Sequence, residues 1–213
     1  AMNGSYISPV KINLTLRVLT RRPDGYHEII SLFWKKKGIE GLTIQPHGNE
    51  NIGDILDVRG MKISGENILF RALKWARSRS PIIPPLRMRL TKEFPAGSGI
   101  GAGSGNAAAL LMHLKAYYGL DIENGSLSAV GADIPFLAGD AGLAMVEGLG
   151  EKIRPQSPLK GLSNIRRIGI DQLQARNIEI LTGLRRLELV YVQTDLLRKL
   201  LQERSKHGVL RES

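Results

Sequence analysis

Cysteine is absent from all 213 residues, which rules out disulfides, thiolate metal sites and a cysteine nucleophile. Histidine is scarce as well. The four, His27, His47, His113 and His207, stand far apart and form no ligand-spacing motif. Aromatic residues make up 5% of the chain, too few for the aromatic-and-basic platform that would stack nucleobases, so no nucleic-acid partner is expected. No apolar run is long enough to span a bilayer, so no membrane partner is expected either. The start, Ala1-Met2-Asn3-Gly4-Ser5, has no basic segment followed by an apolar one, and a cytoplasmic location is the expectation. Internal repeats and low-complexity tracts are missing too. At 42% apolar residues the chain still carries enough hydrophobic material for a real core, in one large domain or two small ones.

Acidic residues are outnumbered. Twenty Asp and Glu against thirty Lys and Arg leave a net charge of +10, which points to anionic partners such as nucleotides, phosphorylated metabolites or nucleic acid. The basic residues fall in separate clusters, among them Arg21-Arg22, Lys35-Lys36-Lys37, Arg77 with Arg79, and Arg185-Arg186. Solvated surface charge accounts for most of these.

What the chain does have is glycine, concentrated in Pro95-Ala-Gly-Ser-Gly-Ile-Gly-Ala-Gly-Ser-Gly-Asn-Ala-Ala-Ala109. Five alternating glycines let a backbone wrap closely around a ligand. The run of helix formers after them, from Ala107, offers free N–H groups and a positive dipole end. Together they predict an anion cradle, most often one for phosphate. No Gly-Lys-Ser/Thr closes the loop as in a P-loop, and the dinucleotide fingerprint fits only loosely. A flexible linker would be a poor neighbour for the strand-like Leu86-Arg-Met-Arg-Leu90 on one side and a helix on the other.

Periodicity supplies the frame. Val10, Ile12, Leu14, Leu16 and Val18 alternate with polar residues, which predicts a half-buried strand with Lys11 and Asn13 together on its polar face. Pro23-Asp24-Gly25 is a turn signal, and Ile29 to Trp34 reads as a second strand. Asn67 precedes a helix through about Ser78, whose buried stripe is read as Ile68, Leu69, Ala72, Leu73 and Ala76. The helix after the glycine loop ends at Tyr118, with Gly119 as its C-cap. Gly131 to Phe136 reads as a turn and Leu143 to Val146 as a strand. Further on, Leu187 to Val192 reads as a strand and Asp195 to Lys206 as a basic helix. The order predicts an α+β fold with a mixed or antiparallel sheet.

A phosphate cradle with neither a nucleophilic cysteine nor a histidine cluster points to phosphoryl transfer, which needs positioning and charge stabilisation rather than covalent catalysis. Lys11 is the candidate cation and Asp133 the candidate carboxylate. Each has a plain alternative: a strand lysine is usually solvated, and an Asp before Ile-Pro is usually a turn or cap residue.

Five segments taken together resemble the GHMP kinases: Ser8-Pro-Val-Lys-Ile-Asn-Leu14, Arg21-Arg-Pro-Asp-Gly-Tyr-His-Glu28, Glu66-Asn-Ile68, the glycine loop, and Gly131-Ala-Asp-Ile-Pro-Phe136. The second segment is the most specific and is similar to the branch whose substrate carries a cytidine diphosphate. The resemblance implies an α+β, ribosomal protein S5 domain 2-like N-terminal lobe over residues 1–155 that binds ATP. Residues 156–213 are then a truncated or diverged C-terminal segment. It implies a kinase using ATP and Mg2+ that phosphorylates the 2-hydroxyl of 4-diphosphocytidyl-2-C-methyl-D-erythritol in the non-mevalonate isoprenoid pathway. By the same resemblance Lys11 and Asp133 are catalytic. Gly97, Ser98, Gly99, Gly101, Gly103 and Ser104 hold the ATP phosphates, and Asn67 and Lys92 lie near adenine and ribose. Asn13, Tyr26 and His27 contact the substrate, Tyr26 by stacking on cytosine and His27 by bonding its edge.

The chain departs from that pattern in three places. Ser104 is followed by Gly105 where the family has a second serine, and Ala102 replaces a glycine. The stretch from Leu120 to Gly131 is short, and no second glycine-rich loop follows Gly161. These departures keep open a catalytically impaired relative that binds nucleotide or only retains the fold.

Overall fold

The computed structural model describes residues 2–156, apart from residues 22, 24, 26, 48, 50 and 123–125 and the side chains of Thr20 and His27. The strand and helix expected near the C-terminus, the boundary at 155/156 and Tyr26 itself therefore fall on or beyond the edge of the described residues.

Two long strands form the frame. β1 (Gly4–Arg21) and β2 (His27–Pro46) pair antiparallel from Gly4 opposite Ile44 to Arg21 opposite His27, with register shifts between Ile7 and Pro9, Asn13 and Thr15, and Val18 and Arg21. Gly25, at φ +87°, lies in the connection between them. The free edge of β2 is divided between two partners. Residues Ile29 to Trp34 pair with β5 (Leu143–Gly148), and residues Gly41 to Pro46 pair with β4 (Leu86–Lys92). Beyond these lie β3 (Ile55–Gly60), parallel to β4, and β6 (Lys152–Pro155), antiparallel to β5. The sheet is mixed because α1 (Ile68–Arg77) makes the crossover from β3 to β4, and a parallel pair requires such a connection.

The helices form a layer on one face. In α1, Asn67 accepts from the Leu69 amide at 3.0 Å, and of the expected stripe Leu69, Ala72, Leu73 and Ala76 are buried while Ile68 is only partly so. α2 (Ala102–Tyr118) is buried on nearly all sides and ends at Gly119, which is left-handed at φ +61°. α3 (Ile134–Ala138) is a five-residue helix beside it. The main core joins Phe33, Leu42 and Ile44 of β2 with Leu69, Leu73, Met88, Leu110, Leu111 and Phe136. Arg77 is not a solvated charge. Its guanidinium donates to Asp54 at 2.7 Å and to the Pro84 carbonyl at 2.8 Å, tying α1 to the start of β4. Among the described residues no helix is long and apolar enough to cross a membrane.

Three expectations need correction. β2 runs on through Lys35-Lys36-Lys37 to Pro46, because β1 pairs with it through the three lysines and β4 takes up its other edge from Gly41. β6 was not anticipated; four residues carry too little pattern. And α2 begins at Ala102, so Gly103 and Gly105 belong to its first turn rather than to the loop. Gly105 is there because of packing: a Cβ at this position would overlap the Pro9 carbonyl oxygen of β1.

Gly105→Ala is therefore expected to lose about 3 kcal/mol or more of stability in urea unfolding. Gly103→Ala, whose Cβ would sit 3.8 Å from Ile68 Cγ2, should shift it by less than about 1 kcal/mol. Acid sensitivity gives a second check. His113 is buried, with Nδ1 2.8 Å from the Tyr6 hydroxyl and no partner at Nε2, and burial pushes its pKa below the usual 6.5. Below about pH 6.5 the unfolded chain takes up a proton that the folded chain refuses, so stability falls as pH drops. His113→Gln should flatten that part of the stability–pH curve measured by denaturant titration.

Candidate functional site

Four segments distant in sequence meet at one cavity of about 450 Å3. Its floor is the loop leaving β4, its wall is the first turn of α2, and Lys11 of β1 and Asp133 of α3 stand at its side. Gly97, Gly99 and Gly101 have φ of +77°, +78° and +66°, a region that only glycine enters without strain. Space is tight there as well: a Cβ on Gly101 would stand 3.2 Å from Asp133 Oδ2 and 3.3 Å from Lys11 Cγ, so those side chains would have to shift slightly. No side chain caps α2 and no acid lies in its first turn. The amides of Ala102, Gly103 and Ser104 precede the first intrahelical bond, which Gly105 makes to the Gly101 carbonyl at 2.8 Å. All three residues line the cavity. Unclaimed amides, a positive dipole end and no nearby side-chain bulk at Gly97 or Gly99 fit a polyphosphate.

Lys11 is buried instead of lying on a solvent face, because α2 and α3 cover that side of β1. Its Nζ donates to Asn13 Oδ1 at 2.6 Å, lies 4.5 Å over the Phe33 ring, and pairs with Asp133 Oδ2 at 3.7 Å. Asn13 in turn donates to Ser31 Oγ at 3.1 Å, which fixes the amide that fixes the lysine. Burial lowers the Lys11 pKa, and the Asp133 carboxylate raises it part of the way back. The backbone of Lys11 is held by the loop itself, its N–H donating to the Ile100 carbonyl at 2.9 Å. Asp133 occupies the N-cap position of α3, yet its side chain makes no capping bond and stays 27% exposed. That combination leaves the carboxylate facing both the lysine and the opening.

The remaining expected residues are distributed as follows. Ser98, Ser104, Asn67 and Lys92 line the cavity. Asn67 uses its amide oxygen on the α1 cap. Lys92 does not present its ammonium to the cavity: Nζ is bound to Glu40 Oε1 at 2.6 Å, and both groups are buried. Asn13 is not a lining residue. His27 opens β2 opposite Arg21, and Tyr26 is outside the described residues, so the two do not enter the site geometry.

Glu40 is the residue that sequence reasoning missed. Oε1 also accepts the amides of Glu93 at 3.1 Å and Phe94 at 2.9 Å, while Oε2 accepts Asn106 Nδ2 at 2.7 Å. It thus grips the chain immediately before the glycine loop and again in the helix after it. A signal existed: Glu40 is in phase with Leu42 and Ile44 on the buried side of β2. Ile63 and Ser64 also line the cavity, from a segment without periodicity.

Among the described residues no group of three carboxylate, histidine or cysteine side chains is arranged to hold a metal ion. Asp133, Glu66 and Ser104 are oxygen donors in the cavity lining. This suits a hard cation held chiefly by phosphate oxygens and water, with few oxygens from the protein.

Comparison with known proteins agrees with this architecture. Residues 67–142 match the GHMP kinases N terminal domain. The 4-diphosphocytidyl-2-C-methyl-D-erythritol kinase of Persephonella marina is 34% identical over 151 residues, covering 69% of this chain and 54% of that protein. The kinase of the same name from Pseudothermotoga lettingae is 37% identical over 158 residues, covering 70% and 54%. A crystal structure of 4-(cytidine 5'-diphospho)-2C-methyl-D-erythritol kinase superposes with a TM-score of 0.59 at 31% identity, over 72% of this chain and 55% of that one. The chain spans about half the length of the relatives it matches.

Glu40→Gln, which leaves the Lys92 charge buried without its counter-ion, is expected to destabilise the fold by about 3–5 kcal/mol in chemical denaturation. Adding Lys92→Met should recover most of that loss; a double variant as unstable as the single one would show that the charge is not its source.

Proposed function

Because the chain belongs to the GHMP kinase family, we propose that it supplies the ATP-binding and phosphoryl-transfer centre of a cytoplasmic small-molecule kinase. The acceptor in this reading is the 2-hydroxyl of 4-diphosphocytidyl-2-C-methyl-D-erythritol, the substrate class named for its relatives. The observation that carries the reading is the Lys11–Asp133 pair standing against the positive-φ Gly101 at the cradle.

ATP, when bound with a divalent cation such as Mg2+, supplies the phosphoryl group and part of the charge neutralisation. The protein supplies the rest. The amides of Ala102 to Ser104 and the loop Gly97 to Gly101 bind phosphate oxygens. Lys11, held by Asn13 and resting on Phe33, keeps a positive charge where negative charge gathers during transfer. Asp133, with no capping duty, orients the acceptor hydroxyl and receives its proton on a carboxylate oxygen. Little base strength is needed in a loose transition state, so position outweighs basicity. Asn13 is assigned to the substrate side of the lysine, Tyr26 and His27 to the cytosine, and Asn67 and Lys92 to the nucleoside end of the cradle.

One observation favours a second reading, a nucleotide-binding relative with impaired transfer. The packing of Gly105 on Pro9 leaves no room for the second loop serine hydroxyl of the family. ADP release decides between them. Release with 4-diphosphocytidyl-2-C-methyl-D-erythritol, and not with homoserine, mevalonate or galactose, is the expected outcome. Measurable ATP binding with no ADP release from any of the four selects the impaired relative. In the active protein Asp133→Ala should lower kcat at least about a hundredfold with KM changed less than about threefold. An unaltered kcat would remove Asp133 from the chemistry.

A further inference from the structure

Lys35 sits in a basic cluster on β2, but its side chain is half-buried and committed to the helix that carries Asp133. Lys35 and Lys11 are direct cross-strand partners in the β1–β2 register. Lys11 reaches the N-terminal end of α3, at Asp133. Lys35 reaches its other end: Nζ donates to the Leu137 carbonyl at 3.4 Å and, more closely, to the Gly139 carbonyl. Between the two ammonium groups lies a stack of rings. Lys11 is 4.5 Å from the centroid of Phe33, Phe33 meets Phe136 edge-on at 5.4 Å, and Lys35 is 5.3 Å from the centroid of Phe136. Phe136 is itself part of α3. The backbone amide of Lys35 donates to the Gly142 carbonyl at 2.8 Å, so the segment leaving α3 is tied to the same residue.

A helix of five residues does not hold its own conformation, and its orientation comes from what it packs against. Its last carbonyls have no partner inside the helix and favour a cation. Lys35 provides that cation; burial lowers its pKa, and the Asp140 carboxylate raises it part of the way back. We infer that Lys35 is a positioning residue: by binding the carbonyl end of α3 it sets where Asp133 stands relative to Lys11. Two neighbouring lysines on the sheet thus hold a short helix at its two ends. The inference rests on the kinase reading for its kinetic consequence, and on geometry alone for its structural one.

Lys35→Met keeps an apolar stem against Phe136 and deletes the donor; Lys35→Arg keeps a donor and the charge. In the full-length chain, at temperatures where melting curves show each variant folded, Lys35→Met is expected to lower kcat at least about tenfold with KM for ATP within about twofold. Lys35→Arg is expected to recover kcat to within about threefold. The kcat loss from Lys35→Met should vanish in an Asp133→Asn background, because both changes remove the same contribution. A wild-type kcat in Lys35→Met, or an equal further loss in the Asp133→Asn background, overturns the inference. Should the wild type transfer phosphate to none of the four acceptors, the kinase reading fails and the positioning claim is decided by NMR of 13Cε-labelled lysine. The Lys11 titration should respond to Asp133→Asn when Lys35 is present and lose that response in the Lys35→Met background. A response of the same size in both overturns it.

Discussion

A buried carboxylate, Glu40, holds the glycine loop in place from both sides. The loop has almost no side chains with which to pack, so nothing within it specifies its path. Its ends must be fixed from outside. Glu40 does this with four hydrogen bonds, three to the chain just before the loop and one to Asn106 in the helix after it. Removing such a charge from water is unfavourable unless every oxygen is satisfied, and the Lys92 ammonium makes the arrangement electrically neutral. The helix α2 can begin with open amides because its position does not depend on a cap at its own N-terminus.

Strand β2 is what links this clamp to the Lys11–Asp133 pair. Over twenty residues it touches β1, β4 and β5 and carries Ser31, Phe33, Lys35 and Glu40 towards the site. Lys11 arrives on β1, Asp133 on α3 and the cradle on the β4–α2 connection. Each is referred to the same strand, through Phe33, Lys35 and Glu40 respectively. Preorganisation of this kind is what phosphoryl transfer asks of a protein, since the fixed charges must be in place before the reacting groups move.

Much of this was readable where the signal is local. Asn67 before an amphipathic run, the alternation of Leu86 to Leu90, and Gly119 after α2 each have a short-range cause, and each element forms as expected. The pairing of Lys11 with Asp133 has no local cause, and only the resemblance of the whole set of segments brought it into view. Glycine misled the reading of the α2 start: Gly103 and Gly105 weaken a helix by propensity, yet a close approach to β1 requires the second of them. Three successive lysines hid the continuation of β2, because pairing with β1 and the contact of Lys36 with the Trp34 ring compensate for their polarity. The cytosine side, assigned to Tyr26 and His27, stays a matter of sequence, since their side chains lie outside the described residues.

The seating of Gly105 on the Pro9 carbonyl also bears on how this loop can evolve. A serine at this position is barred while β1 stays where it is, because the first atom of the new side chain meets backbone, which does not rotate away. Strand displacement would have to precede the substitution. Pro9 and Gly105 are therefore coupled positions: what the second can become depends on where the first holds its carbonyl.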